Sequence, residues 1–350
     1  MKSRKKILSV IAAIGAAAAV AAGTTGCGAE SSVKKAESTA GSTAGQTEKD
    51  LVKVRAAVMT NNVDQWLALI GKENGFFEKL GIQLEITEFA AGINTVDAIV
   101  TGQADIGLLA DYAAVNRLGN TQKDTNLRFI ARFGTGKGSS FYVNPEKVKK
   151  IEDLAGQGVI TLPGTVWDYW TARTFEAANV PKDQQKILNV ESAQAALGVM
   201  TSGEGIAVWA GGINGKKLEE AGMVPFLTMD DLGLRTDQYY ISSTEFLGSQ
   251  ETVVEEFLAA IKETEEWLAA HGEEAAAILE EKVNIPKEQS LVNFKNYEFM
   301  IDFKEDTVEH LNGIKKWAVE EGRFEQDYAI KDYVDLRALT ALYPDEVGIK

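Results

Sequence analysis

From residue 52 to 58 apolar and polar positions alternate, which is the period of a half-buried strand. Residues 65–79 change period: Trp66, Leu69, Ile70, Phe76 and Phe77 fall at helical spacings, with Gly75 as a bend or stop. After the Leu80-Gly81 turn, Ile82, Leu84 and Ile86 alternate as a second strand. A helix over 95–100, a buried strand over 106–109, a helix over 111–118 and a strand over 127–133 follow. A second run begins with an extended stretch at 141–143 and a short glycine-ended helix at 151–156. It continues with strands at 159–162, 187–190, 206–209 and 224–227, separated by helices at 166–178, 192–200 and 216–221. A strand at 239–242 leads into two long amphipathic stretches. Val254, Phe257, Leu258, Ile261 and Leu268 stripe the first, and Val308, Leu311, Ile314 and Ala318 the second. Strand–helix–strand at this rhythm predicts two α/β units, each with a mixed, mostly parallel sheet flanked by helices.

The first fifty residues have a different texture. Lys2, Arg4, Lys5 and Lys6 precede a sixteen-residue apolar run over 7–22, short for a membrane span of about 20 residues. Small residues follow, ending in Thr24-Thr25-Gly26-Cys27. This is the layout of an export signal over 1–26. Residues 27–50 are rich in Ser, Thr, Ala and Gly and hold no aromatic residue, which predicts a flexible tether.

Composition narrows the function. The 350 residues carry 36 Lys+Arg against 51 Asp+Glu, a net charge of −15. Cutting the leader takes four basic residues and no acids, leaving −19. Such a balance opposes binding to nucleic acid, which rests on basic neutralisation of phosphates. Cys27 is the one cysteine, so no disulfide forms within the chain. The two histidines are His271, at a helix C-terminal position, and His310, expected on a solvated helix face. No metal site or cofactor is expected from this inventory, and catalysis by a histidine or cysteine has little to work with.

Several motifs then occur in a fixed order. They are Gly75-Phe76-Phe77-Glu78-Lys79-Leu80-Gly81-Ile82, Phe89-Ala90-Ala91-Gly92, and Gly102-Gln103-Ala104-Asp105-Ile106-Gly107. Next come Ile151-Glu152-Asp153-Leu154-Ala155-Gly156, Pro163-Gly164-Thr165, the helix–turn–strand run over 193–209, and Trp317-Ala318-Val319-Glu320-Glu321-Gly322. The ordered set, over about residues 52–346, resembles the solute-binding lipoproteins of ABC importers in the nitrate/sulfonate/taurine and thiamine-pyrimidine group. The Thr24–Cys27 segment resembles a bacterial lipobox, which implies a lipid on Cys27 and export to the outer face of the cytoplasmic membrane. The resemblance implies a periplasmic-binding-protein fold of type II, with two lobes joined by two crossover strands. Projected here, lobe one is 51–138 plus 238–350 and lobe two is 139–237. It further implies a monomer that captures a small solute between the lobes and delivers it to a permease and its ATPase. A sensory or scaffolding lipoprotein, or a pyrimidine-synthase-like enzyme, are the alternatives. At Glu204-Gly205-Ile206 and Ala110-Asp111-Tyr112 the chain departs from the family pattern, so the family's ligand is not carried over.

In open α/β sheets a ligand sits beyond the carboxyl ends of strands, where helix N-termini offer free N–H groups. Four loops fit that place. They contribute Asn61, Asn62 and Asp64; Gly92, Asn94 and Thr95; Asp111 and Tyr112; and Thr165, Trp167 and Asp168. Each of these also fits plain turn, cap or packing chemistry. Trp167, Tyr169 and Trp170 cannot all face one core, because helix neighbours point 100° apart, and Trp167 is assigned to the cleft. Trp209 at a strand end and Gly134 in the Gly-rich run 133–138, which lacks P-loop spacing, complete the set as cleft or hinge residues. Three acids and several aromatics with few bases predict a neutral or amine-bearing ligand with a heteroaromatic ring.

Overall fold

The computed structural model describes residues 51–90, 92–121, 125–324 and 327–349. The expected signal (1–26), the tether (27–50) and the lipid site Cys27 lie outside them. The chain opens with β1 (Val52–Met59), α1 (Val63–Glu73), α2 (Phe76–Lys79), β2 (Ile82–Phe89), α3 (Gly92–Val100), β3 (Ile106–Ala110), α4 (Asp111–Thr121) and β4 (Leu127–Gly136). It then builds β5 (Ser139–Val143), β6 (Gly158–Thr161), α5 (Val166–Ala177), β7 (Lys186–Asn189), α6 (Ala193–Thr201), β8 (Ala207–Gly211), α7 (Gly212–Glu220) and β9 (Val224–Thr228). It returns through β10 (Thr236–Ser243), α8 (Thr244–Ser249), α9 (Glu251–Ala270), α10 (Gly272–Val283), α11 (Lys287–Lys295), β11 (Tyr297–Asp302), α12 (Glu305–Glu320) and α13 (Arg337–Leu342).

These elements form two sheets, in the orders β11-β4-β10-β3-β1-β2 and β7-β6-β8-β5-β9. Parallel pairing joins β1 to β2 and β3, and β6 to β7 and β8. All other strand pairs are antiparallel. Both sheets are therefore mixed, as expected, but the parallel share is smaller than a majority. The reason is topological. β4 carries the chain out of the first sheet and β10 brings it back beside β4, so the two must run in opposite directions.

Side-chain alternation explains the second sheet's two faces. Phe141 and Val143 pack with Trp170 and Trp209 on one face, while Tyr142 between them packs with Met200 and Val208 on the other. In the first lobe the stripe Val254, Phe257, Leu258, Ile261 and Leu268 of α9 is buried as its spacing predicts. The helix expected over 65–79 is instead two, because Gly75 adopts φ 74 and breaks it. In that left-handed region glycine is the favoured residue.

The two crossing strands are fastened together inside the first sheet. Arg132 of β4 donates two parallel bonds to Asp302 at the end of β11, Nε to Oδ1 and Nη2 to Oδ2, each 2.7 Å. The same guanidinium reaches Asp237 of β10 at 3.4 Å and Asp306 at 3.2 Å. Asp237 also accepts from Thr135 Oγ1 at 2.7 Å and from Tyr239 Oη at 3.2 Å. Burial acts to strip Arg132 of its proton, yet the surrounding carboxylates hold its affinity for that proton above the ordinary value.

A second buried acid lacks such partners. Glu265 of α9 is 5% exposed, and neither carboxylate oxygen has a hydrogen bond. Burial drives its proton affinity well above the usual range, against a weaker pull from Lys262. The folded state holds this proton more tightly than the unfolded chain. Its contribution is present below about pH 4.3, the unfolded value, and is lost as pH rises through the raised folded value. Glu265→Gln removes that loss. Its melting temperature should exceed that of the parent by several degrees at pH 8, and the gap should close near pH 4. Parallel melting curves across this range would contradict the assignment.

Candidate functional site

The chain leaves the first sheet at Gly136 and enters the second at Ser139, then returns between Thr228 and Thr236. Beside these crossings lies a cavity of ≈ 320 Å³. Its wall takes Asn61, Trp66, Asn293, Asn296 and Tyr297 from one side. Ser139, Val166, Trp170, Gly211 and Gly212 come from the other. A second chamber of ≈ 580 Å³ shares Asn61, Gly211, Gly212 and Asn293 with it and extends toward Ile213, Ile285 and Pro286. Together they form a cleft of the size that small-molecule sites occupy.

Local rules place each wall. Asn61 adopts φ 58, a region that Asn tolerates, and so turns β1 into α1. Its N–H donates to Gln65 Oε1 at 2.8 Å. Val166 and Trp170 are four apart on α5 and share one face. Close backbone approach shapes the floor. A Cβ at Gly138 would lie 2.6 Å from Asn296 Cβ, and one at Gly211 would lie 2.8 Å from the Gly138 carbonyl oxygen. The Lys137 N–H donates to the Asn296 carbonyl at 3.0 Å, which ties the crossing to the turn before β11.

Of the residues expected to bind, Asn61 alone lines either chamber. Asn62 is buried and donates from Nδ2 to Asp64 Oδ1 at 2.8 Å. Asp64, 1% exposed, also accepts from the Met59 N–H at 2.8 Å. Burial pushes its carboxyl up to about 7, against those two donors. Gly92 begins α3, Asn94 is exposed in its first turn, and Thr95 is buried with Oγ1 donating to the Leu108 carbonyl at 2.5 Å. Neither Asn94 nor Thr95 is the cap, because the helix starts at Gly92, three residues earlier than its apolar pattern shows.

Asp111 is fully buried and accepts from the Asp237 N–H at 3.0 Å. It also meets His310 Nε2 at 2.7 Å. His310 is thus a half-hidden partner of a distant acid rather than a solvated residue. Only tertiary packing could bring those positions together. His271 caps α9 as its position suggests, and its ring stacks on Trp267. Tyr112 is buried against Trp317. Gly134 lies within β4, two residues before Gly136, which does line the cavity. Thr165 caps α5, accepting from the Trp167 N–H. Trp167 lines a small pocket against α6 and α7 instead of the cleft. Trp209 is fully buried and donates from Nε1 to Thr174 at 2.9 Å. The three acids thought to face a ligand are all engaged within the protein.

Asp168 has a further partner. It accepts from Thr161 Oγ1 and the Gly164 N–H, and it pairs with Arg323 Nη2 at 3.2 Å. Arg323 follows α12, so this pair joins the two lobes away from the crossing strands. Trp317 of α12 completes the contact. Its ring meets Tyr169 of α5 at 5.4 Å, and the Arg323 guanidinium sits 5.4 Å from its centre.

Sequence reasoning missed Trp66, Trp170, Asn293, Asn296 and Tyr297. The i,i+4 spacing of Val166 and Trp170 is the one local signal that could have placed Trp170 on the face that lines the cavity. Residues 287–295 carry no clear apolar stripe, so nothing in the pattern singled out α11 or the asparagines near its end. Among the described residues, no group of three or more His, Cys, Asp or Glu could hold a metal ion. No described helix is long and apolar enough to cross a membrane.

Arg323→Ala removes one ion pair of this second contact and leaves the Trp317–Tyr169 packing and the Lys182–Glu321 pair in place. A partly exposed pair is worth about 0–1 kcal/mol, so the melting temperature should change little. Small-angle scattering should show a larger radius of gyration for the ligand-free variant. An unchanged scattering profile would contradict a latching role.

Comparison with known proteins agrees with this architecture. The aliphatic sulphonate binding protein SsuA of Escherichia coli superposes with a TM-score of 0.71 at 15% identity, covering 81% of this chain and 92% of that one. A putative sulfonate-binding SsuA of Methylobacillus flagellatus superposes with a TM-score of 0.69 at 16% identity, covering 85% and 95%. The desulfurization enzyme DSZB shares the fold too, with a TM-score of 0.64 at 13% identity, covering 84% of this chain and 99% of that one. At these identities the likeness establishes the fold. No curated protein matches the sequence. The family model described as NMT1/THI5 like matches residues 62–275, and with two mixed sheets meeting at a cleft the chain belongs to the NMT1/THI5-like family.

Proposed function

We propose that the protein is the extracytoplasmic solute-binding component of an ABC importer. It is exported, anchored by a lipid on Cys27, and closes two lobes on a small nutrient that it hands to a permease and its ATPase. The lobes are taken as 51–138 plus 238–350 and 139–237. The observation that carries this reading is the cleft itself. Its wall is drawn from both lobes and lies against the two crossing segments, so a modest change there opens or closes the site. The fold shared with sulfonate-binding proteins favours capture over catalysis. Sulfonates, nitrate, taurine-like compounds and heteroaromatic or amine-bearing nutrients are the solute classes to screen.

Thermal-shift screening tests the reading. A ligand at a hundred times its dissociation constant should stabilise the protein by about 2.7 kcal/mol. For about 300 folded residues that is a rise of roughly 4 °C. Gly138→Leu, which forces a side chain into Asn296, should abolish the rise. A hit whose rise survives that substitution would place binding elsewhere.

A further inference from the structure

One helix beside the second sheet touches the first sheet's half at two places. Val166 and Trp170 of α5 line the ≈ 320 Å³ cavity, whose other wall holds Trp66, Asn293 and Tyr297. Asp168 and Tyr169, between them in sequence, make the separate contact with Arg323 and Trp317. Beyond α5, Lys182 Nζ pairs with Glu321 Oε1 at 2.6 Å and extends that contact.

The two places lie against opposite faces of the first sheet. Successive strand residues point to opposite faces, and β10 shows which helix covers each. Tyr240 meets Phe257 of α9 edge-on at 5.1 Å. α1 lies beside α9, so close that a Cβ on Gly71 would collide with Thr264 Oγ1. The cavity wall that α1 supplies, Trp66 with Tyr297 edge-on at 5.8 Å, is therefore on the Tyr240 face. Asp237 and Tyr239 point the other way. There Tyr239 Oη donates to Asp237, and the Arg132 guanidinium joins Asp237 to Asp306 in the first turn of α12. Trp317 is on α12 and Arg323 follows it, so their contact with α5 is on the Tyr239 face.

The crossings lie between these places. β4 and β10 are neighbours in the first sheet. One runs out to Gly136 and the other begins at Thr236, and both residues border the cavity. The line joining the two crossings therefore lies in the plane of that sheet. A turn of the second sheet about this line draws α5 toward α1 and α11 on one side and lifts it from α12 on the other. Splaying on the α12 side is, in this geometry, narrowing on the cavity side.

We propose that the α5–α12 contact is a counterweight to closure: narrowing of the cavity on a solute breaks the Asp168–Arg323 and Tyr169–Trp317 contacts, so their strength sets how readily the empty protein closes. This rests on the solute-capture reading above and adds its regulation. Exposed ion pairs are screened by salt, so the same balance answers to ionic strength.

The test needs no solute. Nitroxide labels at Lys216→Cys on α7 and Glu288→Cys on α11, both exposed, flank the second chamber, which Ile213 and Gln289 line. Double electron–electron resonance reads their separation in the empty, full-length Cys27→Ser protein. Lys182→Glu and Glu321→Lys each set like charges face to face, and they change the net charge in opposite directions. Each should raise the shorter-distance population about twofold to fivefold, the range that an exposed pair commands. The double exchange Lys182→Glu/Glu321→Lys should return it to the parental value. Tyr169→Ala with Arg323→Ala, which removes the ring and the guanidinium together, should shift it further. Raising the salt to about 1 M, where the Debye length is about 3 Å, should move the parental distribution the same way, with no change to the contact residues. Parental melting temperatures in the single reversals separate a shifted balance from lost folding. Distances that stay unchanged or lengthen in both single reversals overturn the proposal and leave solute capture standing. So does a double exchange that fails to restore the parental distribution. A screen in which no solute binds overturns capture, and with it the role of this contact, whatever the distances show.

Discussion

The structure depends on how two antiparallel strands are held side by side. β4 leaves the first sheet and β10 re-enters it, and the Arg132 guanidinium grips Asp302 bidentately while reaching Asp237 and Asp306. Removing one partner from a buried ion pair typically costs about 3–5 kcal/mol, because the other charge is left stranded. The crossing strands therefore reach the cleft from a fixed base. Just beyond that base the backbone thins to Gly136 and Gly138, and the second sheet's β5 begins at Ser139. A firm anchor followed by short glycine-rich crossings is the arrangement that the proposed closure of the lobes requires.

A division of polar roles follows. Charged groups of the first lobe's interior are spent on fastening strands: Arg132, Asp237, Asp302, and Asp111 with His310. Asp64 fixes the β1–α1 turn, and Asp168 joins the start of α5 to Arg323. The cavity between the lobes is left to amides, hydroxyls, glycines and aromatic rings. Placement of acids near strand ends in the sequence suggested the reverse, because residues that cap a helix and residues that face a ligand occupy the same few positions.

Much of the fold was legible. Period-two and helical spacings located most strands of both sheets, and the stripe of α9 was read residue by residue. The bend or stop expected at Gly75 is a full break, whereas the turn to β11 and the helices α10 and α11 were not read, α11 because it carries no clear apolar stripe. The candidate site was far less legible. Asn61 was found from its place after β1, but Trp66 and Trp170 look like any core aromatic, and Asn293 and Asn296 reach the cleft only through long-range packing of α11. Local sequence encodes which face is buried. It does not encode which buried face meets a second lobe.

The proposed function requires that the lobes close on a solute about the glycine crossings. The most direct measurement is the distance between spin labels at Lys216→Cys on α7 and Glu288→Cys on α11, both exposed, in a Cys27→Ser chain. With a solute that raises the melting temperature, the distance distribution should shorten and narrow. A distribution that stays the same when the solute is bound would contradict closure of the two lobes.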